Sequence, residues 1–165
     1  MRKVLELTFL RMIRLYGVIL LIISPPANSY FRTNHLDIYR EEFIRIGKQF
    51  KEFTPEHLKR AENVSFYFAN LSADKLAGKC NIILNEITIN YKEWNLYTIE
   101  NKEELIFHEM GHCVFKEGHR SLGILREEGF YTKQEYKQNY NFLINELFNC
   151  SKFDCIKIEW DRTKY

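Results

Sequence analysis

The stretch Leu105-Ile106-Phe107-His108-Glu109-Met110-Gly111-His112-Cys113-Val114, with His119 seven residues after the second histidine, decides how this chain is read. Residues four apart stand on one face of a helix, separated by a rise of about 5.4 Å per turn. The imidazoles of His108 and His112 can therefore share one cation. Glu109 follows the first histidine directly, and a carboxylate beside a cation can take a proton from a water that the cation polarises. Catalytic zinc sites use three protein ligands and keep one position open. His119 is the expected third ligand. A helix continued to residue 119 would carry that ring about two turns further along the axis, out of reach of the same ion. Gly118 predicts the solution, because glycine ends helices in a left-handed turn. Lys116 suits the negative end of the helix dipole. The spacing thus predicts a helix that stops near Glu117 and a turn that returns His119 to the metal.

Working outward, Leu36, Tyr39, Phe43, Ile46 and Phe50 recur at helical spacing and predict an amphipathic helix over 35–52. Thr54-Pro55 has the form of an N-cap followed by proline in the first helical position, opening a short second helix. Val64 to Ala69 reads as a strand, and Asp74 to Lys79 as a loop. From Asn81 to Tyr91 the pattern suits strands. Ile87, Ile89 and Tyr91 alternate there with Glu86, Thr88 and Asn90, which predicts one buried and one wet face. Asn101 and Glu104 resemble a capping pair at the start of the motif helix. Leu105, Met110 and Val114 are its expected core contacts. Thr132 and Glu135 form a second capping box, and Tyr136, Tyr140, Leu143 and Leu147 mark a helix over 133–149. Ile156, Ile158 and Trp160 suggest a short terminal strand. The expected fold is α+β, a mixed sheet packed on the motif helix with further helices on its N- and C-terminal sides. Repeats and low-complexity segments are absent, so residues 30–165 are expected to form one domain.

Of the 165 residues, 45% are hydrophobic and 15% aromatic, which suffices for one globular core. The start differs from the rest. Arg2, Lys3, Arg11 and Arg14 precede the apolar run Leu15–Ile23, Ser24-Pro25-Pro26 breaks it, and Ala27-Asn28-Ser29 supplies small residues. That is the pattern of a signal peptide cleaved after Ser29. The alternatives are an uncleaved anchor through residues 1–29 or a buried N-terminal helix. Without the leader the formal charge falls from +2 to −1, because its four cations outnumber Glu6 by three. No polyanion-binding surface is implied, and nucleic acid is excluded as an expected partner. Cys80, Cys113, Cys150 and Cys155 all lie beyond the leader. An even count in an exported chain predicts two disulfides, with three pairings open. Cys150 with Cys155 and Cys80 with Cys113 is the preferred one.

At the motif the chain resembles the zincin superfamily, and within it the metzincin-type peptidases, whose His-Glu-x-x-His helix is followed by a glycine turn and a third histidine. Their third histidine stands six residues after the second, whereas here the interval is seven. The chain is more similar to small exported bacterial metallopeptidase-like proteins carrying His-Glu-Leu-Gly-His-Cys and a histidine seven residues on. The segment from Tyr140 to Phe148 resembles the late Tyr-x-x-x-Glu-Leu-Phe helix of that group. Their Ser-Ile-Met segment has Gly123-Ile124-Leu125 as its counterpart, so Leu125 stands where the group has an apolar methionine floor. The resemblance covers roughly residues 80–148.

It implies an exported zinc-dependent endopeptidase acting on peptides or proteins, with one zinc ion on His108, His112 and His119 and with Glu109 as proton acceptor. Tyr131 is the candidate stabiliser of the transition state. The strand near 86–91 is the expected edge to which an extended substrate would add. In another zincin group the third ligand is a downstream glutamate, a role open to Glu127, Glu128 or Glu135. From a different class, the chain could be an exported zinc-binding or partner-binding module that cuts nothing. Glu109 argues against that, since a structural zinc site needs no base beside its ligand.

Overall fold

The helix signals of the sequence hold best where a cap is local. Thr54 caps Pro55–Glu62: its hydroxyl accepts the His57 N–H at 3.2 Å and its own N–H donates to the His57 ring at 3.3 Å. Thr132 and Glu135 cap each other in the same reciprocal way at the head of Lys133–Asn149. In this computed structural model residues 31–71, 76–120, 123–126 and 129–149 are described. The expected leader, the Cys150–Cys155 pair, Glu127, Glu128 and the strand near 156–160 lie outside them. Along the described chain run β1 (Phe31–Arg32), α1 (Asp37–Gly47), α2 (Pro55–Glu62), β2 (Ser65–Ala69), β3 (Gly78–Asn81) and β4 (Glu86–Asn90). The short α3 (Tyr91–Trp94), α4 (Ile99–Phe115) and α5 (Lys133–Asn149) follow. The architecture is mixed α+β, and no helix among the described residues is long and apolar enough to cross a membrane.

The strand order is β1-β2-β4-β3. β2 and β4 run parallel, while β1 and β3 lie antiparallel to their neighbours. A hairpin joins β3 to β4. Asn81 turns it, accepting the N–H groups of Ile83 and Leu84 through its side chain, and Asn85 closes it at φ 58°. Asparagine tolerates that left-handed conformation because its short amide can bond locally.

This order corrects two expectations. β4 is an interior strand, and the edges of the described sheet are β1 and β3. Nor does β4 have a wet face, since Thr88 and Asn90 are buried with Ile87 and Ile89. Thr88 is flanked by Tyr67 and Lys79 on the two neighbouring strands, and these long side chains cover a short one. Asn90 is buried as a cap: it accepts the Lys92 N–H and donates to the Leu76 carbonyl. Tyr91 leaves the strand and opens α3.

The motif helix α4 is buried nearly all round. Leu105, Ile106, Phe107, Met110, Cys113 and Val114 are all in the core, while His108 and His112 stay partly exposed. It packs on β3 and β4 and is enclosed by α1, α2 and α5. Phe43 of α1 meets Phe53, Phe107, Phe115 and Phe148, locking the C-terminal half of α4 between α1 and α5. Each aromatic pair is worth about 0.5–1.5 kcal/mol beyond its buried area. Arg60 of α2 donates to the Cys113 carbonyl at 2.6 and 2.8 Å, satisfying an acceptor left open by the helix end. The N-terminal cap is Thr98 rather than the expected Asn101–Glu104 pair. Thr98 accepts the Asn101 N–H, while Glu104 turns inward and is buried.

Candidate metal centre

Helix α4 ends at Phe115, and the left-handed residue is Lys116, at φ 58° and ψ 36°. Gly118 has no positive φ, and a Cβ added there would meet nothing within 4 Å. The expected glycine stop is thus displaced by two residues. The physical reason lies in the site. Ending early lets the Glu117 carbonyl turn back and accept a hydrogen bond from His112 Nδ1 at 2.7 Å. His108 Nδ1 donates likewise to the Ile124 carbonyl at 2.7 Å.

These two bonds fix the chemistry of the rings. A carbonyl oxygen only accepts, so each Nδ1 carries the proton and each Nε2 presents a lone pair. The two Nε2 atoms face each other at 2.9 Å. Two acceptors at that distance repel unless a cation stands beside both. The His119 ring lies 5.2 Å from that of His108 and 4.8 Å from that of His112, centroid to centroid. One nitrogen from each of the three falls within 4.8 Å of the others. The turn after α4 therefore brings together the three histidines that the spacing predicted. Burial, then the neighbouring His112, holds the His108 imidazole down to about 4. Burial first, then His119 and Arg120, lowers His112. Neutral imidazoles with free Nε2 lone pairs are the form in which histidine binds a divalent metal. The donor set fits such an ion.

Glu109 is buried and turns toward the edge strand. A Cβ placed on Gly78 would lie 3.0 Å from its Oε1. Burial raises its carboxyl to about 8, and the Cys80 N–H, directed at it, works in the opposite sense. Cys80 is also bonded to Cys113, so one disulfide ties β3 to the residue after His112. An intramolecular disulfide belongs to an oxidising environment.

The histidines and Glu109 open onto a cleft bordered by Gly78, Lys79 and Cys80 of β3 and, elsewhere, by Tyr97, Arg126 and Phe130. Leu125 is fully buried beneath α4, where a Cβ on Gly111 would come within 2.7 Å of its Cδ2. Tyr131 does not border the cleft. It is buried, with the Arg126 guanidinium 3.5 Å above its ring. Glu135 is exposed and spent on its own helix cap.

Other participants escaped the sequence reading. The Glu117 and Ile124 carbonyls have no side-chain signature. Arg120 donates to Glu117 and, at 2.7 Å, to Glu146 of α5. The Ile124 N–H also faces the Glu146 carboxyl. Glu146 thus stands behind both segments that orient the histidines. Its one signal was its place in the Tyr140–Phe148 stretch. No protein-family model, curated protein or solved structure matches this chain.

Proposed function

We propose that this chain is an exported zinc-dependent endopeptidase of zincin type, cutting peptide bonds with water. The observation that carries this reading is the pair of Nε2 lone pairs held face to face by two Nδ1–H···O=C bonds, with His119 beside them. His108, His112 and His119 would hold one zinc ion. That ion supplies Lewis acidity to water and carbonyl oxygen and favours the ionised form of a neighbouring carboxylate.

Glu109 is the group that moves the proton. It takes one from the attacking water and returns it to the leaving amine. Its burial and the backing of Gly78 and Cys80 keep it aimed into the cleft and away from bulk solvent. Among the described residues β3 carries a partner strand on one side only, and its other edge would suit an extended peptide. On this reading an extended substrate would add along residues 78–81, not along the strand first expected. A closed structural site would need neither an acid beside its ligands nor an open groove.

Metal analysis of the purified protein, with hydrolysis of a broad peptide library, tests the reading. One equivalent of zinc, chelator-sensitive cleavage and loss of cleavage in Glu109→Ala are expected. Full zinc retention by His119→Ala, or undiminished cleavage by Glu109→Ala, would overturn it.

A further inference from the structure

We infer that Arg126 is a specificity residue that receives a carboxylate of the peptide substrate in the cleft. The inference rests on the peptidase reading for its setting. Arg126 borders the same cleft as His108, Glu109 and His119. Its side chain is only 20% exposed. Tyr131 supports the guanidinium from one face at 3.5 Å, so the planar group is held with its donor edges free.

Among the described residues those donors have no hydrogen-bond acceptor. Nε is buried without a hydrogen-bond partner, and no side-chain hydrogen bond from Arg126 to a described residue exists. The nearest described acid is Glu104, whose Oε1 lies 3.9 Å from Nη2, beyond hydrogen-bond range. Both Glu104 oxygens face the Tyr131 N–H instead, at 3.3 and 3.2 Å. Burial raises the Glu104 carboxyl to about 7, so it balances the cation only in part.

A half-buried guanidinium with unmet donors is costly, and a carboxylate relieves it through two parallel charged hydrogen bonds. Because the fork is already fixed by Tyr131, little entropy is lost when the ligand arrives. Lys79, also on the cleft wall, adds positive charge. The chemistry selects a planar anion, either an Asp or Glu side chain or a free C-terminal carboxylate.

The probe is a blocked alanine hexapeptide with one leucine, in which Glu or Gln is walked through each position. A second arm compares the free acid with the C-terminal amide of the same peptide. Hydrolysis is measured with the zinc-loaded full chain. Binding of fluorescent versions is measured with the Glu109→Gln protein. A carboxylate at one position, or at the C-terminus, should improve kcat/KM and binding about tenfold to a hundredfold over its neutral twin. Arg126→Gln should bring that ratio to one, and Arg126→Lys should keep only part of it, with zinc content reporting that both variants fold. Absence of any carboxylate preference, a preference that survives in Arg126→Gln, or equal slowing of acidic and neutral peptides overturns the inference and leaves the peptidase reading intact. Arg126-dependent binding of the acidic peptides without hydrolysis by the wild type has the reverse effect. It removes the peptidase reading and upholds carboxylate recognition.

Discussion

Glu109 and Gly78 are fitted to each other across the cleft wall. The carboxylate Oε1 lies 3.0 Å from where any other residue at position 78 would place its Cβ, and the Ile89 Cδ1 lies 3.1 Å from the same point. A methyl group at residue 78 must therefore push the carboxylate or the strand. Gly78→Ala is expected to lower kcat/KM by about threefold to tenfold, because the carboxylate or the strand must give by a few tenths of an ångström. The three histidines are untouched, so zinc content should stay at one equivalent. Peptide kinetics beside metal analysis check this. Unchanged kcat/KM would show that the carboxylate does not depend on that gap.

The disulfide holds the same wall from the other end. Cys80 and Cys113 close a loop with a sequence separation of 33. Removing such a loop closure costs about 3–4 kcal/mol through the unfolded chain. The double variant Cys80→Ser, Cys113→Ser should lose that much in denaturant unfolding of the metal-free protein. A change under about 1 kcal/mol would mean that packing of β3 against α4 suffices by itself.

What the sequence made legible was local. The caps at Thr54 and Thr132, the helix over 133–149 and the pairing of His108 with His112 each follow from a few adjacent residues. What it hid was non-local. Whether β4 is an edge depends on where β2 lands, and β2 and β4 are separated by a hairpin strand that pairs outside them. The left-handed stop at Lys116 is selected by a hydrogen bond to His112, not by local propensity, which pointed to Gly118. Arg126 carries no local signal, because its enclosure by Tyr131 and Glu104 comes from residues distant in the chain.

The two glycines after the helix separate these cases by experiment. Gly118 has ordinary backbone geometry and open space around it, so Gly118→Ala should change stability by less than about 0.5 kcal/mol. Gly123 has φ +82°, and a Cβ there would fall 1.9 Å from Glu146 Oε2. Gly123→Ala is expected to cost about 3 kcal/mol or more, combining left-handed strain with displacement of a buried carboxyl. Thermal unfolding of both variants measures the contrast. Equal tolerance would contradict the packing of residue 123 against α5.

Glu104 predicts a pH dependence of stability. It is buried, and desolvation raises its carboxyl to about 7, against the opposing effects of the Tyr131 N–H and Arg126. In the unfolded chain a glutamate titrates near ~4.3. Below that value both states hold the proton and its contribution to stability is complete. Between it and about 7 the folded state binds more protons, so stability falls as pH rises and levels off above. The loss attributable to this group reaches about 4 kcal/mol at most. Metal-free unfolding followed from pH 4 to 8.5 should show a shallower decline for Glu104→Gln than for the wild type. Parallel curves would remove Glu104 as the source.

Glu146 sits at the junction of the two segments that aim the histidines. Through Arg120 it reaches Glu117, whose carbonyl orients His112. Through the Ile124 backbone it reaches the carbonyl that orients His108. Its carboxylate touches no proposed ligand atom, so it acts as a positioning residue. Glu146→Gln keeps the shape and one acceptor but removes the charge that pairs with buried Arg120. Loss of such outer support typically weakens metal binding by about 10–100-fold. Competition against a chelating dye should show that loss for zinc, with smaller weakening in Glu117→Gln, whose orienting carbonyl remains in place. The control lies in Glu135→Gln, which perturbs a cap on the same helix without reaching the histidines and should leave zinc affinity unchanged. If Glu146→Gln binds zinc as tightly as the wild type, the two carbonyls are held by their own loops, and α5 serves only to cover the core.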